Sequence, residues 1–259
     1  MSDDNWQTIL PFELANLSNR PSSETIVDGD WIVRLTKGHP SRRLNSLTIL
    51  SPTDHKNFRT RLGTVFDSFV RNDRPLCVRW TPLMPIVVDA HLSILDWSRE
   101  AETVVMAAHL EDLRASRSKE TSSFSGNITA CSLEEWIAIY CDLGGITADA
   151  AEQLLINFEK SSAELCCLVA KSKSGVPLSV VMAAIEGDLV GFFEVFTAPH
   201  ARRQGCASEL IAEALRTGSD RGAKTTWLQV MSSSRQALRL YEKIGYDAVY
   251  SYHYRKPPN

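Results

Sequence analysis

One stretch in the second half of the chain constrains the fold more than any other. Residues 192–196, Phe-Phe-Glu-Val-Phe, form an apolar, aromatic-rich run typical of a strand, which Pro199 ends because proline lacks an N–H. Apolar residues then recur with helical spacing over more than two turns. Between strand and helix lies Arg202-x-x-Gly205-x-Ala207, whose small residues let a ligand approach the backbone. Because N–H groups at a helix start attract phosphate, this stretch predicts a pyrophosphate-binding turn.

A second motif follows about thirty residues later. Residues 227–230 predict a strand, and the sequence Ser234-x-x-Ala237-x-x-Leu-Tyr241-Glu-Lys-Ile-Gly-Tyr246 comes next. The two motifs resemble those of the GNAT superfamily of N-acetyltransferases, Arg/Gln-x-x-Gly-x-Gly/Ala and Asn-x-x-Ala-x-x-Leu-Tyr-x-x-x-Gly-Phe. Ser234 in place of Asn and Tyr246 in place of Phe are the departures. The resemblance covers roughly residues 128–255.

The resemblance implies an α/β (α+β) GNAT fold, in which helices flank a mixed, mostly antiparallel sheet. The order of elements in the second half agrees with that fold. A strand at residues 127–131 precedes two helices, which begin at a capping box at Ser132 and at Thr147. Three strands (residues 164–169, 177–185 and 189–196) lead into the first motif, and strand, helix and strand complete the domain.

The first half repeats part of this order without the phosphate motif. Strands at residues 31–35 and 44–50 precede a long helix with Thr53 and Asp54 as its expected caps; strand 76–80, helix 87–95 and strand 103–108 follow. We therefore predict a degenerate GNAT-like domain at residues 1–115, a linker at 116–126 within a Ser/Arg/Lys-rich stretch, and an acetyltransferase domain at 127–259. An unrelated α/β extension is the alternative for the first half.

Composition limits the partners and the compartment. The 259 residues carry a net charge of −3, which argues against a nucleic-acid partner because such proteins need a concentrated basic face. The six cysteines are scattered, so we expect reduced thiols of a cytoplasmic protein and no metal. No apolar run approaches the ~20 residues of a membrane helix, so we expect no membrane partner. A monomer or a homodimer fits these features.

By resemblance to the family, acetyl-CoA is the acyl-donor cosubstrate. Its pyrophosphate is expected at the backbone N–H groups of a single turn, and its pantetheine arm beside the end of the preceding strand. The expected cofactor-binding residues are Val195, Phe196, Thr197, Arg202, Arg203, Gln204, Gly205, Cys206, Ala207, Ser208, Ser234, Ala237 and Tyr241.

Two residues are candidates for catalysis. Tyr241 resembles the tyrosine that family members place near the coenzyme sulfur, where it protonates the leaving thiolate; a packed core aromatic is the alternative. Glu194 is the only carboxylate on its strand and the candidate general base, against a structural role. Family members that act on ribosomal protein N-termini carry a glutamate where this chain has Gln229, which cannot take a proton. A water chain, or an amine that is already partly neutral, is a further alternative to a glutamate base.

We therefore expect an N-acetyltransferase that acts by direct attack of a primary amine in a ternary complex. The acceptor, a small molecule, an amino acid or a peptide N-terminus, stays open. A non-catalytic acyl-CoA-binding regulatory module is the rival hypothesis. Tyr250, Tyr252 and Tyr254 alternate along the last predicted strand, and either line an acceptor pocket or form a packed aromatic ladder.

Overall fold

A computed structural model describes residues 5–117 and 124–258 of the chain. Its helices are α1 (Asn5–Asn19), α2 (Phe58–Arg71), α3 (Ile86–Ile94), α4 (Leu110–Arg117), α5 (Leu133–Asp142), α6 (Ala148–Phe158), α7 (Cys206–Asp220) and α8 (Arg235–Ile244). Its strands are β1 (Glu24–Asp28), β2 (Trp31–Leu35), β3 (Ser46–Ile49), β4 (Val78–Trp80), β5 (Ser98–His109), β6 (Asn127–Ala130), β7 (Glu164–Lys171), β8 (Pro177–Glu186), β9 (Leu189–Thr197), β10 (Thr225–Met231) and β11 (Asp247–Lys256). Within these ranges, no helix combines the length and the apolar character needed to cross a bilayer.

The chain forms two compact units, and each unit contains segments from separate parts of the sequence. The first unit contains residues 1–105, 230–235 and 248–259, and the second contains residues 106–229 and 236–247. Residues 118–123 of the expected linker at 116–126 lie outside the described residues. The domain limits given above therefore stay a prediction.

The first unit is built on the strand order β1-β2-β3-β4-β11. Only β3 and β4 run parallel in this set, and α2 connects them. Helix α2 forms because Leu62, Val65 and Phe69 recur at helical spacing, and it buries that face. These side chains pack with Trp31 and Val78 of the strands in one hydrophobic core.

The second unit has the strand order β10-β9-β8-β7-β6, in which only β9 and β10 run parallel. Helix α7 connects the parallel pair and buries Leu210, Ile211 and Ala214. Both units therefore lead an antiparallel meander into a parallel pair bridged by a helix. The mixed, mostly antiparallel fold and the repeat of the domain order are confirmed at the level of topology.

The expected caps of the long helix in the first unit are wrong. Helix α2 begins after Asn57, which has a left-handed backbone (φ 54°) and makes no side-chain cap hydrogen bond. The Asp54 carboxylate instead accepts hydrogen bonds from Arg61 at 2.6 Å and from the Asp30 N–H at 2.8 Å. The N-cap of α5 at Ser132 is confirmed, because the Ser132 hydroxyl accepts the Glu135 N–H at 3.2 Å.

A buried ionic cluster ties the chain's first helix to its last strand within the first unit. Arg79 donates two hydrogen bonds to Glu13, at 3.0 and 2.7 Å, and both side chains are at most 1% exposed. The Tyr250 hydroxyl also donates to Glu13, and the Arg79 guanidinium lies 3.3 Å from the centre of the Tyr252 ring. The alternating tyrosines of β11 are thus packed against a buried ion pair.

Glu13→Leu should destabilise the protein strongly, because it leaves the buried Arg79 without its carboxylate. We expect a loss of about 3–5 kcal/mol in the free energy of unfolding, measured by urea denaturation. The double variant Glu13→Leu/Arg79→Met removes both charges and should recover most of that loss. If the free energy of unfolding of Glu13→Leu lies within about 0.5 kcal/mol of the wild-type value, the assigned role of the pair is contradicted.

Candidate active site

The parallel strands β9 and β10 separate before either strand ends. Their register pairs Leu189 with Thr225 and continues as far as Phe192 with Leu228, whereas β9 runs on to Thr197. The backbone of residues 193–197 therefore lies beyond the described β9–β10 ladder. An opening between parallel strands gives an extended ligand unpaired backbone groups to bind, as an added strand does.

A β-bulge in β9 coincides with this separation. Val180 pairs with Phe196, and Met182 pairs with Phe193. Two residues of β9, Glu194 and Val195, therefore lie opposite one residue of β8, Val181. Glu194 has a left-handed backbone (φ 50°), which is uncommon for a residue with a side chain. The Val181 carbonyl accepts the indole N–H of Trp136 at 3.0 Å. A bulge of this kind bends the strand and changes the direction of a side chain.

The end of β9 is half-buried and held by one serine. The Ser179 hydroxyl donates to the Phe196 carbonyl at 2.8 Å and lies 2.7 Å from the Thr197 hydroxyl. Val195, Phe196 and Thr197 are all of intermediate exposure. The strand thus stays ordered after it leaves β10.

The turn after β9 exposes a helix start with no side-chain cap. Arg203 and Gly205 have left-handed backbones (φ 63° and 82°), and Gly205 is the N-cap of α7. The first N–H groups of a helix, here those of Cys206 and Ala207, have no acceptor within the helix and lie at the positive end of its dipole. Arg202, Arg203 and Gln204 are exposed, and the Gln204 amide donates to the His200 carbonyl at 3.0 Å. This geometry suits a phosphate group.

Cys206 is a buried anchor of this turn. Its side chain is 1% exposed, and the thiol lies 3.8 Å from the Ala201 carbonyl. Burial raises the pKa of the Cys206 thiol, so the thiol stays protonated at neutral pH. A protonated thiol is a poor nucleophile. We therefore assign to Cys206 a role through its backbone N–H in the turn and not through its thiol.

The carboxylate at the bulge has a partner that the sequence analysis did not find. The Tyr140 hydroxyl, near the end of α5, donates to Glu194 Oε2 at 2.9 Å. The Tyr140 ring packs against Trp136 and Phe196, with ring centroids 5.0 and 5.8 Å apart. The spacing of Trp136 and Tyr140 places them on one helix face, but nothing local in the sequence connects them with Glu194.

Comparison with known proteins identifies this region. Residues 133–246 match the model of the acetyltransferase (GNAT) family. They form a GNAT acetyltransferase domain. Over 227 residues the chain is 22% identical to the uncharacterized N-acetyltransferase YobR of Bacillus subtilis, a match that spans 88% of this chain and 90% of that protein. The chain is accordingly placed among the acyltransferases.

Solved structures extend the likeness of the fold to the whole chain. The GCN5-related N-acetyltransferase from Kribbella flavida is 20% identical, with a TM-score of 0.71 over 100% of this chain and 97% of that one. A tandem GNAT protein from the clavulanic acid biosynthesis pathway is 10% identical, with a TM-score of 0.68 over 95% of this chain and 88% of that one. The GNAT-like fold therefore includes the N-terminal half.

Tyr241 of the GNAT domain lies on α8 and is 7% exposed. Its ring packs edge-to-face against Tyr246, with centroids 5.8 Å apart, and the Tyr246 hydroxyl lies 2.8 Å from that of Thr226. Burial raises the pKa of Tyr241 to about 12, so the phenol is protonated at neutral pH. This is the state that a proton donor requires.

The structure does not group every expected site residue in one unit. Glu194, the turn at residues 202–208, Ala237 and Tyr241 belong to the second unit, whereas Ser234 lies in the segment 230–235 of the first. Ser234 is exposed, and its N–H donates to the Met231 carbonyl at 2.8 Å. Among the described residues, no group of His, Cys, Asp and Glu side chains is arranged to hold a metal ion.

The first unit has the same strand–turn–helix arrangement at β3, residues 50–57 and α2, but the turn contains a carboxylate. Arg61 bridges Asp54 and Asp28, at 2.6 and 2.7 Å, and the Trp31 indole donates to the Asp54 carbonyl at 2.9 Å. The hydrogen bond from Arg61 lowers the pKa of Asp54, which is therefore negatively charged at neutral pH. The turn before α2 therefore holds a carboxylate paired with a guanidinium.

Proposed function

We propose that this protein is an acetyl-CoA-dependent N-acetyltransferase that acetylates a primary amine by direct attack in a ternary complex. The observation that carries the proposal is the continuity of one strand. Strand β9 separates from β10 after Phe192, turns Glu194 at a bulge, and leads to the bare helix start at Gly205. A binding slot, a base and a phosphate-binding turn thus follow each other within about fifteen residues.

The residues present fit acetyl-CoA. The pyrophosphate would bind the N–H groups from Arg202 to Ser208, with the guanidinium groups of Arg202 and Arg203 adding positive charge at exposed positions. Val195, Phe196 and Thr197 would bind the pantetheine arm through their backbone. The N-cap supports this fit, because Gly205 adopts φ 82°, where a residue with a Cβ would be strained.

The chemistry requires one base and one acid. Glu194 would take a proton from the acceptor ammonium and pass it to solvent. The neutral amine then forms a C–N bond with the acetyl carbonyl carbon, and the C–S bond breaks as the nitrogen releases its second proton. Tyr241 would protonate the departing thiolate and regain its proton from water. The balance is one amide and one thiol formed, with one proton released.

A non-catalytic acyl-CoA-binding module is the second candidate. The observation that favours it is Gln229, a residue on β10 that cannot accept a proton. Release of free coenzyme A from acetyl-CoA in the presence of small amines, amino acids and peptides separates the two functions. Release that depends on one class of amine supports the enzyme and identifies its acceptor.

Replacing the N-cap glycine tests the cofactor site. Gly205→Phe should abolish the thermal stabilisation by acetyl-CoA, which at ~100 times the dissociation constant is worth roughly 2.7 kcal/mol. Gly175→Phe is a matched control, because Gly175 has nearly the same φ (85° against 82°) but lies in the β7–β8 turn. Both variants carry the same backbone strain, and only the control should keep the shift. An equal shift in both would place the coenzyme elsewhere.

Removing one hydroxyl tests the acid. Tyr241→Phe keeps the ring that packs on Tyr246 and removes the proton donor. We expect turnover to fall roughly 10²–10⁴-fold on the best amine of the panel, while the dissociation constant of acetyl-CoA stays near that of the wild type. Unchanged turnover would make Tyr241 a packing residue.

Titration calorimetry tests whether the two units have different functions. We expect one acetyl-CoA per chain, because the carboxylate of Asp54 lies at the corresponding turn of the first unit. Gly205→Phe should then bind none. A stoichiometry near two in the wild type, or of one in Gly205→Phe, would show that the first unit binds the coenzyme.

A further inference from the structure

We propose that Tyr140 is a positioning residue that holds the Glu194 carboxylate in the orientation for proton transfer; this rests on the base assigned under the proposed function. The two side chains come from α5 and β9 and are 54 positions apart in the sequence. Tyr140 would act through Glu194 and not on the acceptor itself.

The contact has a definite direction. An ionised carboxylate only accepts hydrogen bonds, so the phenol must donate to Glu194. The two oxygens lie 2.9 Å apart, and Tyr140 is 6% exposed. A buried hydroxyl needs a partner, and a phenylalanine would fill the same space without needing one. The hydroxyl is therefore the part of this side chain that packing does not explain.

The ring that carries this hydroxyl is fixed on several sides. Trp136 and Phe196 pack against it, and the same Trp136 donates its indole N–H to the β8 carbonyl opposite the bulge. Gly145 closes the remaining side: a Cβ there would lie 1.7 Å from a Tyr140 ring carbon. The helix C-terminus therefore requires a glycine at this position for the ring to stay in place.

One helix, α5, supplies both of these contacts. Trp136 supports the bulge that turns Glu194, and Tyr140 fixes the carboxylate that the bulge presents. A carboxylate has about four acceptor sites, so the bond to Tyr140 leaves capacity for an amine. Donation also favours the charged form, so the carboxylate is ready to accept a proton over a wider range of pH.

Carboxyl ¹³C NMR tests the contact without an acceptor. The full chain is labelled at the glutamate side-chain carboxyl, and the Glu194 signal is identified as the one that Glu194→Gln removes. In Tyr140→Phe its titration midpoint should rise by about one pH unit, because the charged form loses a donor. The matched control Tyr250→Phe removes a buried tyrosine–glutamate hydrogen bond in the first unit and should leave the Glu194 midpoint unchanged. An unmoved midpoint in Tyr140→Phe overturns the inference.

Kinetics with acetyl-CoA and the best amine of the panel test the consequence. Tyr140→Phe should lower kcat by up to about 100-fold and move the acidic limb of the pH–rate profile upward, with the KM for acetyl-CoA unchanged. Tyr250→Phe should change neither the limb nor kcat. A normal profile in Tyr140→Phe, with turnover lost in Glu194→Gln, overturns the positioning role alone. Full turnover in Glu194→Gln overturns the base assignment itself.

Discussion

The bulge at Glu194 is the constraint on which the GNAT domain depends. A regular strand would alternate its side chains, and β9 would continue beside β10 to its end. One extra residue opposite Val181 ends that regularity, and the cost is a left-handed backbone at a residue with a side chain. The Trp136 indole compensates by pairing with the Val181 carbonyl. The strained backbone of Glu194 and the hydrogen bond from Trp136 therefore both lie where β9 separates from β10.

The two units show how one topology can carry different chemistry. Each places a helix start directly after the first strand of a parallel pair. In the GNAT domain the helix start is Gly205, which makes no side-chain cap hydrogen bond. In the first unit Asp54 is held beside the helix by Arg61, whose guanidinium also lies 4.4 Å from the centre of the Trp31 ring. Both helices bury an apolar face, which the fold requires, whereas the residues of the preceding turn differ between the units.

The spacing of residues in the sequence predicts most of the secondary structure and turns of the GNAT domain. The order of strands and helices from β6 to β11, the N-cap at Ser132 and the glycine turn follow from spacing and backbone preference, which a sequence displays directly. The contact of Tyr140 with Glu194 could not be predicted, because it joins residues 54 positions apart and depends on the geometry of the bulge. The prediction of Asp54 as a cap is wrong because its partner, Arg61, is apparent only once the turn is folded.

Strand β11 belongs to the first unit, although it follows the GNAT domain in the sequence. Strand β11 pairs with β4, His253 beside Trp80 and Arg255 beside Val78, so the last strand completes the sheet of the first unit. Arg255 is buried there and binds Asp89 at 2.9 Å, and the His253 ring stacks on Trp80. Burial lowers the pKa of His253 to about 4, so this stack is uncharged at neutral pH. The sheet of the first unit therefore includes a strand, β11, that follows both sequence motifs along the chain.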